Sequence, residues 1–327
     1  MQLHTDCYRG KRVLVTGADG FMGSHLTERL LDLGAAVTVY VRGTSVTGTA
    51  AGHQLKNIPH LLSHVSVIAG DIGNADAISL ITKNNPDIIF HLAAEAYVNR
   101  SFDHPLEVCR TNIDGTLRVL EAARALKGTI ERVVVTSSSE AYGHSSEPIS
   151  ENHPFDPSTP YGASKAAADV LARSYHHTFG LPIAVIRPFN TFGPRHTYDV
   201  IPKFITLALQ GKPLPLCGDG KQTRDMTYVE DTINGFLIMG SHPAAIGKAI
   251  NFGTGIDTPI IAIAHMIQEM SGTNPEIVHK EPRAGEVARL CSNPSQAKAL
   301  FGWEAQIPIR EGIKRNIAWA KEHQSLA

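Results

Sequence analysis

The most constraining stretch lies near the start: KRVLVTGADGFMGSHLTERLLDLG, residues 11–34. A short apolar run, VLV, leads into a glycine-rich turn. Leu26, Leu30 and Leu33 then recur at helical spacing, so the stretch reads as strand, tight turn, helix. GADGFMG sets Gly17, Gly20 and Gly23 three apart. In such a turn the first glycine permits the tight bend, the second lets a pyrophosphate approach the backbone, and the third lets the helix pack closely. The unpaired N–H groups of the helix start, at Phe21 and Met22, then face the phosphates. Glycine triplets are common in turns. Its place directly after a first strand is what turns this one into a dinucleotide signal.

The same alternation continues along the chain. AAVTVYV, HVSVIAGDI, PDIIFHLAA, ERVVVTSSS and IAVIRPFN read as further strands, and TLRVLEAARAL and YGASKAAADVLARSYHHTFG as helices. Continuous apolar strands alternating with helices predict a doubly wound parallel sheet covered on both faces, a Rossmann-type α/β fold. Beyond about residue 185, proline and glycine punctuate the chain (FGPR, GKPLPLCGDGK, NPSQ) around shorter helices such as VIPKFITLALQG and REGIKRNIAWAKEH. We therefore expect a dinucleotide-binding domain over 1–185 that carries the catalytic residues. A smaller, partly interleaved α/β substrate lobe is expected over 186–327.

Bulk properties exclude several classes. With a formal net charge of −1, nothing in the overall charge implies a nucleic-acid partner. No run of about 18 apolar residues is present, so no membrane span is expected. The N-terminus lacks the apolar core of a signal peptide, and the four cysteines show no CxxC pair; reduced thiols in the cytoplasm are the expectation. His60 and His64 in HLLSH are four apart but lack the glutamate of HExxH and a third ligand, so no metal is expected. His91 reads as structural.

The end of the second strand bears on cofactor choice. An acidic residue there would bind the adenosine ribose of NAD; the sequence has Tyr40, Val41 and Arg42. Arg42 suits the 2′-phosphate of NADP, which tilts the expectation from NAD toward NADP. Asp71 and Ile72, after the third strand, sit where the adenine would lie. Leu92, Ala93 and Ala94, after the fourth, are small enough to let the cofactor pass.

Tyr161 and Lys165 in YGASK are four apart on one helix face. A free tyrosine, with a pKa near ~10, is a poor base at neutral pH; a nearby ammonium is expected to lower it. About twenty residues upstream, the strand end TSSSEAYG places Ser138, Ser139 and then a carboxylate, Glu140.

Taken together, GADGFMG, HLAAEAYVNRSF, TNIDGTLRVLEAAR, TSSSEAYG, YGASK, RPFNTFGPR, GDGKQTRDMTYVEDT and RAGEV resemble the extended short-chain dehydrogenase/reductase family over nearly the whole chain. The resemblance is to its nucleotide-sugar dehydratase/epimerase branch, closest in motif to GDP-mannose and GDP-N-acetylglucosamine 4,6-dehydratases. It implies Tyr161 as base, Lys165 on the nicotinamide ribose, and Ser138 on the sugar 4-oxygen. Hydride leaves C4 for a tightly bound, recycled NAD or NADP.

Glu140 then matches the dehydratase glutamate that takes the C5 proton before the C6 hydroxyl leaves as water. Relatives acting on dTDP-glucose carry an aspartate before that glutamate. Here Ser139 stands in its place, which leaves a distinct acid for the departing hydroxyl unassigned, with Glu140 itself the alternative as proton shuttle. The same resemblance puts Glu95 and Ser101 near the sugar, Asn190 on the sugar or its phosphates, and Arg224 and Arg283 on the diphosphate. Asp231 and Arg195 read as structural. It also implies a homodimer through a four-helix interface built from residues near 107–127 and 161–179. A UDP-glucuronate decarboxylase and a C4 epimerase remain alternatives on the same scaffold. A non-catalytic nucleotide-binding regulator is the alternative from another class, set against the presence of the complete Ser138, Glu140, Tyr161 and Lys165 set.

Overall fold

The computed structural model describes residues 5–42, 46–47, 54–282 and 287–323. Its centre is a seven-stranded sheet of β1 (Arg12–Thr16), β2 (Ala36–Val41), β3 (Ser66–Ala69), β4 (Ile88–His91), β5 (Arg132–Thr136), β6 (Ile183–Pro188) and β7 (Ala249–Phe252). The strands lie in the order β7-β6-β5-β4-β1-β2-β3, and every neighbouring pair is parallel. The order reverses beside β1. A crevice therefore opens at the carboxyl ends of β1 and β4, where ligands bind in such sheets.

Period-two alternation divides the core into two. Val13, Val15, Ile88, Phe90 and Val134 face one cluster, while Leu14, Ile89, Val133 and Val135 face the other. The second is covered by α2 (Ala77–Asn84), α3 (Gly115–Ala125) and α4 (Pro160–Phe179). The first is covered by α1 (Phe21–Asp32) and α6 (Val229–Ser241) and runs on under α5 (Val200–Leu209), α7 (Ile260–Ser271) and α8 (Ile309–Glu322). Burial on both faces explains why these strands read as unbroken apolar runs.

A cut between 185 and 186 falls inside β6. The reason is topological: β7 pairs with β6 and α6 packs back onto the sheet, so the second half of the chain completes the first domain. What remains as a substrate lobe is a three-stranded sheet of Asp257–Pro259, Thr223–Asp225 and Arg289–Leu290 and a pair, Leu214–Cys217 with Ile277–Lys280, packed with α5, α7 and α8. Asp231 ties the two parts: its carboxylate accepts the Ile307 N–H at 2.9 Å and its carbonyl the Trp303 indole at 3.2 Å. Among the described residues no helix is long and apolar enough to cross a membrane.

Candidate active site

The loop after β1 folds tightly on itself. Gly17 has φ +70°, and a Cβ there would lie 2.8 Å from the Ala93 nitrogen. A Cβ on Gly23 would lie 2.1 Å from the Gly17 carbonyl oxygen, so the close packing is against the loop's own first residue. Gly20 is the N-cap of α1 and offers no side-chain cap. The N–H groups of the first turn therefore stay open to an anion. Asp19, buried, fixes the loop by accepting the Lys56 and Asn57 N–H groups at 2.9 and 2.8 Å.

A cavity of about 240 Å³ lies over this loop, walled by Gly17–Gly23, the Tyr40–Arg42 strand end, Ile72 and Leu92–Ala94. Asp71 is not in that wall. Its carboxylate, partly exposed, accepts from Arg110 at 2.6 Å and from the Gly73 N–H at 2.8 Å, while its neighbour Ile72 lines the cavity.

The adjoining cavity, about 310 Å³, brings together Ser138, Ser139, Glu140, Tyr161 and Lys165. Two capped turns lock them. Ser138 Oγ accepts the Glu140 N–H at 3.2 Å, starting a 3₁₀ turn over Ser139–Ala141. Thr159 Oγ1 accepts the Gly162 N–H at 3.0 Å, starting α4. Gly162 then packs on the Glu140 carbonyl, which a Cβ would approach to 2.5 Å. Tyr161 and Lys165 project from the same face of α4, and Lys165 Nζ donates to the Thr136 carbonyl.

Burial dominates the electrostatics. It pulls the Lys165 ammonium from 10.5 down to about 8, with the Asp169 carboxylate opposing. It pushes the Tyr161 phenol well above its ordinary value; the Ser138 hydroxyl offsets part of this, while Glu140 and Asp199 add to it. The sequence-based expectation that Lys165 lowers the tyrosine pKa is thus reversed here: desolvation of a buried phenol outweighs any nearby ammonium. His91, between Thr16 (2.8 Å) and Thr116 (3.0 Å), is lowered to about 3 by burial and stays neutral.

On the substrate side, Asn190 and Arg224 line the cavity. Arg224 donates to the Thr223 and Val287 carbonyls at 2.8 and 2.7 Å. Ser101 does not reach it: fully buried, its hydroxyl donates to the Val98 carbonyl at 2.6 Å. Glu95 is drawn instead toward Arg100 at 3.6 Å and Arg42 at 3.9 Å. Tyr97, Asn99 and Phe102 supply the wall there. Arg283 lies outside the described residues. Arg195 forks onto Glu28 at 2.7 and 3.0 Å, a structural pair.

Three side-chain atoms of the wall, Thr136 Oγ1, Ser137 Oγ and Asn190 Oδ1, are buried with no hydrogen-bond partner among the described residues. Buried polar groups are rarely left so, and these donors and acceptors, beside the open helix start, fit a bound dinucleotide and a hydroxylated ligand.

Sequence reasoning missed two sets of residues. Asn112, in a π-turn (Arg110–Asp114), accepts the Glu95 N–H at 2.8 Å and donates to Ser164 at 2.9 Å, tying the loop after β4 to α4. His196, Tyr198 and Asp199 line the cavity from the loop after GPR. Nothing in their spacing signals this; a helical π-turn and an irregular loop leave no periodic trace.

A family model described as GDP-mannose 4,6 dehydratase matches residues 14–316. The chain belongs to the nucleotide-sugar dehydratase and epimerase family. A UDP-glucose 4-epimerase of Mycolicibacterium smegmatis is 33% identical over 94% of this chain and 97% of its own length. A dTDP-glucose 4,6-dehydratase of Xanthomonas campestris is 32% identical over 95% of this chain and 93% of its own. The solved dTDP-glucose 4,6-dehydratase DesIV of Streptomyces venezuelae, with NAD bound, superposes with a TM-score of 0.86 at 29% identity, covering 96% of this chain and 98% of that one. The chain is thus an enzyme of a family that binds NAD(P), and its relatives' names divide between dehydratase and epimerase.

Proposed function

We propose that this enzyme is a nucleotide-diphosphate-sugar 4,6-dehydratase. The observation that carries the reading is Glu140. It stands in the same cavity wall as Tyr161, on a turn fixed by Ser138 and by the packing of Gly162. An epimerase needs no second proton acceptor after oxidation at C4; a dehydratase does.

The Gly17–Gly23 loop and the α1 start would hold the pyrophosphate, and Lys165 the nicotinamide ribose. A bound nicotinamide would supply the hydride chemistry, oxidation at C4 and reduction at C6. Tyr161 would take the C4 hydroxyl proton as a phenolate, which the positive charge of a bound oxidised nicotinamide would favour against the burial that otherwise keeps the phenol protonated, with Ser138 on the same oxygen. Glu140 takes the C5 proton, which the new ketone acidifies, and later returns it. The Tyr97 and Tyr198 rings, 5.5 Å apart between centroids, shelter the site from water. Asn190 would orient the sugar and Arg224 the diphosphate, a role the sequence also suggests for Arg283.

Arg42 lines the adenosine end, where its guanidinium, shared with Glu95 at 3.9 Å, supports a 2′-phosphate and so NADP over NAD. Leu106 and Val170 are 85% and 49% exposed on the helices around 105–125 and 160–179, which supports a homodimer through them; a monomer mass by light scattering would sink that assembly.

The deciding experiment incubates the enzyme with UDP-, GDP-, dTDP- and CDP-sugars and weighs the products. A product lighter by one water is expected. Loss of carbon dioxide from UDP-glucuronate would make it a decarboxylase. The epimerase names among its relatives favour a second reading, which an unchanged mass with a new C4 epimer would establish.

A further inference from the structure

One residue of the cavity wall has a backbone that its side chain does not explain. Asp199 has φ +77° and ψ 172°, a region almost reserved for glycine, where strain gathers at functional sites. It is also the N-cap of α5. Aspartate at that position normally accepts an N–H of the first turn, but Asp199 makes no side-chain cap. Asp199 lines the cavity that also holds Glu140 and Tyr161; its side chain is half exposed, with Oδ2 3.1 Å from His196 Nε2.

His196 is itself built in. Its side chain is 4% exposed. Its ring stacks on Phe21 at 4.4 Å and meets Tyr198 edge-on at 4.7 Å. Its Nδ1 is buried without a partner among the described residues. A strained backbone, a forgone cap and an imidazole clamped behind the carboxylate are together costly for a turn with no task.

We propose that Asp199, backed by His196, is the acid that protonates the departing C6 oxygen, the role that Ser139 cannot fill. This rests on the dehydratase reading. As Glu140 takes the C5 proton, the C5–H electron pair becomes the C5–C6 double bond. The C6–O bond breaks with its electrons on oxygen, and the proton held between His196 Nε2 and Asp199 Oδ2 completes a water molecule. Solvent reprotonates the pair after release.

The test uses Asp199→Asn and Asp199→Gly holoenzymes with whichever of UDP-glucose, dTDP-glucose and GDP-mannose the wild type dehydrates. Three readouts are taken: water loss by mass, exchange of the C5 hydrogen in heavy water, and absorbance of reduced nicotinamide. We expect kcat for water loss to fall about 100-fold or more, while C5 exchange persists and reduced nicotinamide accumulates. Asp199→Gly should melt no lower than wild type, because glycine relieves the backbone; it keeps the test valid if the asparagine variant folds poorly. His196→Gln should show a smaller loss of the same kind. Wild-type water loss in Asp199→Gly overturns the role, as does a rise in KM at unchanged kcat, which would make Asp199 a sugar contact. Wild-type enzyme that releases no water from any of the three sugars, yet exchanges or epimerises them, overturns the dehydratase reading itself and this role with it.

Discussion

Replacing Lys165 by methionine should make the dinucleotide-free protein no less stable at neutral pH, although it should abolish catalysis. Lys165 is 5% exposed, and burial lowers its ammonium from 10.5 to about 8. At about 1.4 kcal/mol for each pH unit, holding it charged in the fold costs roughly 3 kcal/mol. Between about pH 8 and 10.5 the unfolded chain carries a proton that the folded chain has shed, so wild-type stability climbs as pH rises through that window. Below about 8 both states carry it, and the penalty is complete. Methionine removes the penalty but leaves the Thr136 carbonyl without its donor, a loss of about 1–3 kcal/mol. The net change at pH 7 is therefore a gain of roughly 0–2 kcal/mol. The sharper quantity is the difference in urea stability between variant and wild type, which should shrink by roughly 3 kcal/mol from pH 7 to pH 10.5. A difference that stays constant over that range would refute the burial argument.

Tyr161→Phe should bind dinucleotide normally by fluorescence titration yet form no reduced nicotinamide on adding the nucleotide sugar; normal reduction would remove Tyr161 as the base. Gly23→Ala drives a Cβ to 2.1 Å from a backbone oxygen and should destabilise even the dinucleotide-free protein by about 1–3 kcal/mol or more. Gly20→Ala, with the nearest atom a backbone oxygen at 3.1 Å, should lower that melt less than Gly23→Ala and weaken dinucleotide binding as well. Arg187→Met removes the guanidinium that grips the buried Asp169 at 2.7 and 2.9 Å and leaves that carboxylate Arg173 at 2.8 Å, so it should cost about 3 kcal/mol in urea unfolding, part of it recovered by adding Asp169→Leu. Arg289 holds the Asp257 carboxyl down at about 2. Their pair should contribute about 2 kcal/mol above pH 4 and lose it as pH falls through 2, so the deficit of Arg289→Leu should vanish in acid.

The first β-α-β units were legible because their signals are local. VLVTGADGFMG needs only neighbours to become a strand, a turn and a helix start, and strands buried on both faces announce themselves as apolar runs. Tyr161 and Lys165 share a helix face by spacing alone, and Glu140 follows Ser138 on the same strand end. The sequence analysis went astray where the outcome depended on distant partners. Ser101 and Asp71 looked free to meet a ligand, but Val98 in one case and Arg110 in the other engage them. The interleaving expected of the second half takes its form from β7, whose place beside β6 is set by the sheet and not by AINF itself.

What the sequence alone determined, then, is the parallel sheet, the glycine turn and the tyrosine, lysine and glutamate proposed to react, because each rests on periodicity or on residues a few positions apart. Tertiary structure decided which polar groups remain free to act. Burial reversed the expected pKa shift of Tyr161, since desolvation depends on everything packed around the phenol. Folding also carried His196 and Asp199, from the irregular loop after the next strand, into the cavity of the YGASK helix. A positive φ and an uncapped helix start are three-dimensional facts, and no pattern of neighbouring letters encodes them.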